Sequence, residues 1–301
     1  MKDAGAENGG RREPAAMNDS TQLRDARAPS AERRQRARGE VRALFARAGG
    51  RTEAARVHQT GGLSLRFPRA GAECEAVIVN TGGGMAGGDR AIVELTVGPQ
   101  ARVVATTQSA EKIYRAEGEP VRVETRLRVE AGGALAWIPQ ETLLFEAARF
   151  ERRLEADVAA DASLLLIEAA TFGRLAHGEA RIAARFRDRW RVRREGRLVF
   201  AEEARLDDAG AALDRPAVGR GARAIATILS VAPNAEAQLP RLRAALERSA
   251  AREGEPIDAG ASAFDGLVVA RLASPSPSRL RAAVIEAMLA LRGVKAPRVW
   301  S

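Results

Sequence analysis

Residues 77–97 read VIVNTGGGMAGGDRAIVELTV, a run with five glycines between two strand-like segments. The run contains a literal G-x-G-x-x-G at Gly82, Gly84 and Gly87, which in a dinucleotide-binding unit would follow a strand and open a helix. After Asp89, however, apolar and polar residues alternate with the period of two that is typical of a strand. The loop is therefore predicted to join strand to strand and to bind no nucleotide, which argues against a Rossmann-type oxidoreductase.

The period of two returns downstream, most clearly from Val121 to Val129. Strand–turn–strand units are predicted at 91–107, 121–138 and 151–170, and their turns recur about every 30 residues, a spacing typical of stacked repeats. The prediction is an all-β fold, a β-helix or solenoid-like stack of strands. A hairpin around Glu195-Gly196 and strands at 222–230 and 266–272 are predicted to follow.

Two short helices are predicted in the C-terminal part of the chain. They run from Leu239 to Arg252 and from Ser278 to Arg292. Ser278 is the expected N-cap of the second helix, and Gly293 stands just past its end. The prediction is therefore a mainly β protein with a small helical portion.

Composition limits the classes of function. The chain has 301 residues and a net charge of +9 that comes almost wholly from arginine, with lysine at positions 2, 112 and 295 alone. Arginines alternate with acids and aromatic residues make up 4%, so nucleic-acid binding is not expected, whereas an acidic protein partner is compatible with the charge. A single cysteine, Cys74, fits a reducing compartment, and no apolar stretch is long enough for a membrane span. The expected location is the cytoplasm.

The domain prediction is a basic, disordered tail over residues 1–50 and a single β domain over residues 51–301. The tail has few large apolar side chains, so it is expected to be dispensable for folding, and a chain that begins near Thr52 should melt at the same temperature. The sequence leaves open whether the natural start is Met1 or Met17.

Four separated motifs, in order, resemble those of the urease accessory proteins called UreD or UreH. The signature loop spans Asn80 to Asp89 and includes Asn80, Gly83, Gly84, Gly87 and Gly88. The other motifs are Thr106-Thr107-Gln108 with Lys112, Tyr114 and Arg115; Trp137 to Thr142 with Phe145-Glu146; and Gly173-Arg174.

The resemblance implies a β-helical, non-catalytic scaffold for urease maturation. The implied partners are a UreF-type helical accessory protein, a UreG-type GTPase and the subunits of the urease apoprotein, and the implied task is to aid nickel delivery to the active site.

Nickel is the metal that the resemblance implies, and the softer ligands His58, His177 and Cys74 have no neighbours at metal-ligand spacing. No tightly bound cofactor is expected, only a nickel ion in transit. Stacked units would place four carboxylates near one edge, where partly hydrated groups bind a divalent ion weakly enough to release it. These carboxylates are Asp89, Glu141, Glu146 and Glu168. Turn capping or an ion pair with arginine explains each of them equally well.

Further candidates line the predicted path or contact a partner: Thr106, Thr107, Gln108, Lys112 and Tyr114. The threonines are equally typical of strand ends, and Lys112 and Tyr114 can simply cap a loop. With two histidines and one cysteine, no nucleophilic triad is indicated, and the chain is predicted not to be an enzyme. The alternative is a carboxylate-based polysaccharide-acting enzyme on a β-solenoid.

Overall fold

The computed structural model of the protein describes residues 36–68 and 73–300. In chain order the strands are β1 (Arg38–Ala48), β2 (Arg51–Thr60), β3 (Leu63–Arg66), β4 (Cys74–Asn80), β5 (Arg90–Val97), β6 (Arg102–Thr107), β7 (Glu111–Ile113), β8 (Val121–Val129), β9 (Ala134–Trp137), β10 (Thr142–Leu144), β11 (Arg149–Val158), β12 (Ser163–Phe172), β13 (Arg185–Arg194), β14 (Arg197–Leu206), β15 (Ala224–Val231), β16 (Asp258–Phe264) and β17 (Leu267–Ser274). The helices are α1 (Ala209–Asp214), α2 (Leu239–Ala250) and α3 (Pro277–Arg292), and short 3-10 turns cover Leu175–His177, Ala235–Gln238 and Arg298–Trp300.

Within these described ranges the strands form two sheets. Sheet 1 has seven strands in the order β14-β13-β11-β8-β5-β1-β2. Sheet 2 has ten, with the order β16-β17-β15-β12-β9-β6-β4-β3, and its short strand β10 pairs with both β12 and β7. The main apolar core lies between the two sheets.

Three coils of a solenoid occupy the middle of the described chain: β5–β6, β8–β9 and β11–β12. The first strand of each coil lies in sheet 1 and the second in sheet 2, and equivalent strands pair in parallel. Alternation decides which residues face inward, because successive side chains of a strand point to opposite faces. Val93, Leu127 and Leu154 are buried in the core. The residues that follow or precede them on the outer face include the charged side chains Glu94, Arg126 and Arg153. The three predicted units and the β-solenoid fold class are confirmed.

Groups of strands that are antiparallel to one another close both ends of the coil stack. β1–β2 and β13–β14 extend sheet 1, and the latter is the hairpin predicted around Glu195-Gly196. β3–β4 and the β15–β17–β16 group extend sheet 2. The predicted strands at 222–230 and 266–272 correspond to β15 and β17.

Helices α2 and α3 pack on the face of sheet 2 that points away from sheet 1, where they form a second apolar cluster. Both were predicted, but the expected N-cap was two residues late. Ser276 caps α3, because its side chain accepts from the backbone N–H of Arg279, and Ser278 lies inside the first turn. Gly293 ends α3 in the left-handed conformation, as predicted. The short helix α1 was missed.

The predicted boundary at residue 50 is wrong. β1 pairs in parallel with β5, and its side chains Val41 and Phe45 are fully buried in the main core. The sequence does not identify β1 as a core strand, because arginine and glutamate occupy several of its outward positions and give the segment the composition of a solvated tail. A chain that begins near Thr52 would lose the strand that joins β2 to β5 in sheet 1 and should not fold. The part of the predicted tail before Arg36 lies outside the described residues.

No helix in the described part of the chain is long and apolar enough to cross a membrane.

Candidate functional site

The connections between sheet 2 and the next strand of sheet 1 stack along one edge of the solenoid. Met85 forms a parallel bridge with Ile113, β7 pairs with β10, and β10 pairs with the end of β12. Backbone hydrogen bonds continue the stack, including Met85 N to Lys112 O at 2.8 Å and Phe145 N to Ile113 O at 3.1 Å. The loop after β4 therefore joins strand to strand, as predicted, and the four motifs lie on one edge.

An aromatic ladder runs along this edge and consists of Gly84, Tyr114, Phe145 and Arg174, one residue from each successive connection. The rings of Tyr114 and Phe145 meet edge to face with centroids 5.3 Å apart, and the Arg174 guanidinium carbon lies 4.3 Å from the Phe145 ring centroid. Glu179 holds Arg174 in place by accepting from its Nε at 3.0 Å. Edge-to-face rings and a cation above a ring are favourable arrangements.

Gly84 is required where the ladder begins. Its φ is +142°, and a Cβ at this position would overlap the Tyr114 ring and lie 2.9 Å from the Lys112 carbonyl oxygen. The Tyr114 hydroxyl donates to the Gly83 carbonyl at 3.1 Å. Tyr114 nevertheless remains 40% exposed, so a packed and rigid aromatic side chain is presented to solvent.

The rest of the signature loop is held by its polar side chains. Asn80 donates to both carboxylate oxygens of Glu111, at 2.9 and 3.0 Å, and accepts from the backbone N–H of Gly82. Gly87 lies against Ala116, and the Gly88 N–H donates to the Pro120 carbonyl at 3.2 Å. These contacts fix the loop against the next connection.

Three of the four predicted carboxylates have structural partners at separate points of this edge. Asp89 is buried and accepts from the backbone N–H groups of Ala86 and Ala37, at 2.7 and 2.8 Å, which is the turn-capping role. Glu141 accepts from the Arg281 guanidinium at 2.7 Å. Glu146 accepts from the backbone N–H of Ala183 at 3.1 Å.

Glu168 does not lie on the edge, so its expected position beside the other three carboxylates is wrong. It points between the sheets, is 4% exposed and forms an ion pair with Arg152. Arg152 also makes a two-pronged contact with Asp188, with Nε to Oδ1 at 3.0 Å. Trp137 Nε1 donates to Glu168 at 2.8 Å. Burial raises the pKa of the Glu168 carboxyl to about 7, against the opposing effect of Arg152.

A cavity of ≈ 70 Å³ lies beside this buried cluster, between the sheets. We name it the polar cavity after the polar half of its lining residues; the other half are apolar and include Met85, Val93 and Phe150. Its polar lining comprises Thr107, Glu111, Thr125, Trp137, Gln140, Thr142, Arg152 and Glu168. The Thr125 hydroxyl is buried and has no hydrogen-bond partner among the described residues, so a polar occupant of the cavity would satisfy it. Burial also raises the pKa of the Glu111 carboxyl, while the Asn80 amide opposes this shift. The volume accommodates several water molecules.

A C-terminal anchor closes over two of the motifs. Trp300 is buried, and its Nε1 donates to Thr106 Oγ1 at 3.2 Å and to the Ile138 carbonyl at 3.1 Å. Gln140 Nε2 donates to the Val299 carbonyl at 2.6 Å. Arg281 lies 4.7 Å from the Trp300 ring centroid and donates to the Gln140 side chain at 2.6 Å.

Comparison with known proteins decides the family. The sequence model of the UreD urease accessory proteins matches residues 37–301. The chain belongs to the UreD family. It is 48% identical over 217 residues to urease accessory protein UreD 3 of Methylorubrum extorquens (strain PA1), covering 72% of each chain. It is 46% identical over 269 residues to UreD of Xanthobacter autotrophicus (89% of this chain, 91% of that protein) and 46% identical over 267 residues to UreD of Beijerinckia indica subsp. indica (88% and 97%).

Of the residues predicted to line a path in this UreD-family chain, Thr107 and Glu168 line the polar cavity. Thr106 donates to the Ile138 carbonyl and holds the C-terminal anchor. Gln108 and Lys112 expose their side chains. The Gln108 N–H donates to the Ile78 carbonyl of β4, and the Lys112 carbonyl accepts from Met85 in the preceding connection. Tyr114 belongs to the aromatic ladder.

No group of three or more histidine, cysteine or acidic side chains within the described ranges is arranged to hold a metal ion. Burial raises the pKa of the Cys74 thiol, which disfavours the thiolate form that binds metals.

Sequence reasoning missed Glu111, Thr125 and Arg152. The last two carried a signal, because each is a polar residue at an inward position of an otherwise apolar alternation. Glu111 carried none, because the position of its partner Asn80 in an adjacent coil depends on how the connections stack.

Proposed function

We propose that this chain is a non-catalytic urease maturation factor that assembles with UreF-type and UreG-type accessory proteins and the urease apoprotein and aids nickel delivery. The observation that carries the proposal is the UreD family match over residues 37–301. The aromatic ladder supports it, because residues from all the motifs meet on one exposed edge.

The ladder is suited to contact a partner protein. Tyrosine and arginine are enriched among the side chains that contribute most to interface affinity. Tyr114 and Leu175 are 40% and 44% exposed at this edge, and the contacts of Tyr114 with Gly83 and Phe145 fix its orientation. A partner would bury these side chains with little loss of conformational entropy.

For nickel, we propose a path through the polar cavity between the sheets instead of along the edge. Glu168 and Thr107 contribute oxygen atoms to the cavity, and Glu111 adds a second carboxylate. Two carboxylates and hydroxyls without imidazole or thiolate, with the Arg152 guanidinium in the same lining to oppose a cation, suit weak binding and release of a divalent ion. Nickel is cargo in this proposal, and the cytoplasm is its setting, where a free thiol such as Cys74 persists.

The alternative of a polysaccharide-acting enzyme gains no support from the carboxylates. Glu168, the most buried of the four, is neutralised by Arg152, and Asp89 caps a turn. A hydrolase needs one acid and one free carboxylate facing a substrate groove.

The test is co-expression of the tagged full chain with UreF-type and UreG-type proteins and the urease apoprotein, followed by measurement of co-purified partners and of nickel in urease. Tyr114→Ala should reduce partner retention several-fold, whereas Leu198→Ala, at an exposed apolar position in the β13–β14 hairpin, should not.

Glu168→Gln should lower the nickel content of urease while partner retention stays unchanged, and Glu203→Gln on the outer face of sheet 1 is its control. Normal nickel content in Glu168→Gln would remove the path from the proposal. Retention of no partner by the unaltered chain would remove the scaffold role.

A further inference from the structure

The outer face of sheet 1 carries charge in rows that run across the strands. Side chains at registered positions of neighbouring strands lie side by side on one face. Register pairs Arg38 with Arg90, Arg90 with Arg122, Arg122 with Glu151, Glu151 with Arg187, and Arg187 with Arg205. We name the five arginines of this row the arginine row. It crosses six strands, or about 24 Å at the usual strand separation.

A second row on the same face has a different charge order. Four residues further along the strands, register places Arg42, Glu94, Arg126, Glu155 and Arg191 side by side. Here the signs alternate, and Glu94 pairs with Arg126 at 2.5 Å and with Arg42 at 3.3 Å. In this alternating row, Glu94 compensates both of the arginines beside it.

Charge compensation along the arginine row is uneven. Arg122 pairs with Glu119 and Glu151, Arg187 pairs with Glu203, and Arg205 pairs with Asp207. Arg38 and Arg90 are exposed, lie opposite each other and form no ion pair with any residue in the described ranges. Like charges directly opposite on neighbouring strands are destabilising. Two residues earlier on the same face, Arg149 and Arg185 form another like-charged pair. Uncompensated positive charge therefore remains at the Arg38–Arg90 end of the arginine row, at a cost in stability.

We propose that the uncompensated Arg38–Arg90 end of the arginine row is a docking surface for a partner protein that presents carboxylates. Such a partner would relieve the repulsion between Arg38 and Arg90, and complementary charge would speed its association. The row lies where β1, β5, β8 and β13 begin, which is the side of sheet 1 that follows the stacked connections. Docking here would therefore be next to the aromatic ladder.

A nucleic acid fits this face less well than a protein. The rows described above carry no phenylalanine, tyrosine or tryptophan on which bases could stack. Glu151 interrupts the arginine row, and the alternating row, about 13 Å away, brings further carboxylates that would repel phosphates.

The inference deepens the proposed function, since the partner is sought among the urease components. The probes are the urease apoprotein and the UreF-type and UreG-type proteins, each co-expressed with the tagged full chain and washed at low and high salt. Arg38→Glu/Arg90→Glu should reduce retention of one of them about tenfold or more at low salt and remove the salt dependence of its binding.

The matched control is Arg128→Glu/Arg193→Glu. These arginines lie on the same outer face beside Asp157 and form no ion pair within the described residues, so the change in net charge is identical. The control should retain the partner within about twofold, and Arg38→Lys/Arg90→Lys should retain it fully because the charge is kept. Melting temperatures verify folding, and Arg38→Gln/Arg90→Gln replaces the reversal variant if the latter does not fold.

Equal retention by the arginine-row variant and the unaltered chain would overturn the inference and leave the proposed function intact. Equal loss in the control would also overturn it, because net charge and not the row would then decide binding. Loss of duplex DNA binding with unchanged protein retention would assign the row to nucleic acid instead. If the unaltered chain retains none of the three proteins, the inference and the proposed function both fail.

Discussion

Arg126 and Arg152 lie on neighbouring strands of sheet 1, and each contacts two carboxylates, yet their surroundings differ. Arg126 pairs with Glu94 and Glu124 on the outer face and keeps 51% of its side chain exposed. Arg152 pairs with Glu168 and Asp188 between the sheets and is 5% exposed. The same chemistry is thus present once in water and once in the core.

The comparison shows that burial, and not the number of contacts, decides what an ion pair does. An exposed pair contributes about 0–1 kcal/mol, because water and salt screen it. A buried pair must offset the cost of desolvating both charges, and removal of one partner leaves the other charge uncompensated. The buried cluster is therefore the more sensitive of the two, and it is the one beside the polar cavity.

The largest expected effect is that of Arg152→Met. This change leaves Glu168 and Asp188 buried without a cation, and we expect the free energy of unfolding to fall by about 3–5 kcal/mol. Chemical denaturation measures it. Arg126→Met is the exposed control and should cost less than about 1 kcal/mol. Similar losses in the two variants would show that the environments differ less than their exposure indicates.

The second prediction concerns the pH dependence of stability. The raised pKa of Glu168, about 7, means that the folded chain holds a proton that the unfolded chain releases above its ordinary value of 4.5. This contribution to stability is complete below pH 4.5 and is lost as the pH rises through about 7, by up to about 3 kcal/mol.

Glu168→Gln should remove this dependence of stability on pH. The difference in unfolding free energy between variant and parent, measured from pH 4.5 to above 7, isolates the contribution of Glu168. An unchanged dependence of stability on pH would mean that Glu168 stays ionised throughout this range.

The third prediction tests whether a substitution at the exposed aromatic ladder can cost nearly as much stability as one at the buried cluster. Gly84→Ala forces a Cβ into the Tyr114 ring at a φ of +142°, so we expect a loss of about 2 kcal/mol in the free energy of unfolding. Gly83→Ala has open space around the new Cβ and a φ of +71°, and should cost about 1 kcal/mol. A larger loss in Gly83→Ala would show that backbone strain, and not the ladder, limits this loop.

The smallest effect is expected for Tyr114→Phe. The ring contact with Phe145 is kept, and the hydrogen bond to the Gly83 carbonyl is lost at a position open to water, so the cost should be about 0.5 kcal/mol. Thermal unfolding beside the parent measures it. A loss as large as that of Gly84→Ala would place the hydroxyl, instead of the ring packing, at the centre of the ladder.

The coils were predictable because their signal is local. Alternation from Val121 to Val129, with turns at a regular spacing, defines both the strands and the stack. The strand-to-strand glycine loop follows from the residues directly after Asp89. β1 was missed because its outward charges dilute the apolar pattern, and its pairing with β5 joins residues far apart in sequence.

The candidate site was only partly predictable, because it too depends on contacts between residues far apart in sequence. The ladder residues were identified by their motifs, but their stacking depends on the register of four connections. Glu168 was placed on the edge because the alternation of side chains along β12 was not used to decide which face of the strand carries Glu168. Its neighbours in β12 are almost all buried, so the strand has no wet face on which a carboxylate could lie.

The C-terminal anchor gives the protein a temporal order of assembly. Trp300 bonds to the carbonyl of Ile138, 162 positions earlier in the chain. At ribosomal rates of about 5–20 residues per second, residue 138 is made on the order of ten seconds before its partner. During that interval the coils can wind and Thr106 can donate to the Ile138 carbonyl, but the Gln140 side chain lacks the Val299 carbonyl to which it will donate. A nascent chain therefore carries an incomplete patch over its central motifs until synthesis has passed residue 300.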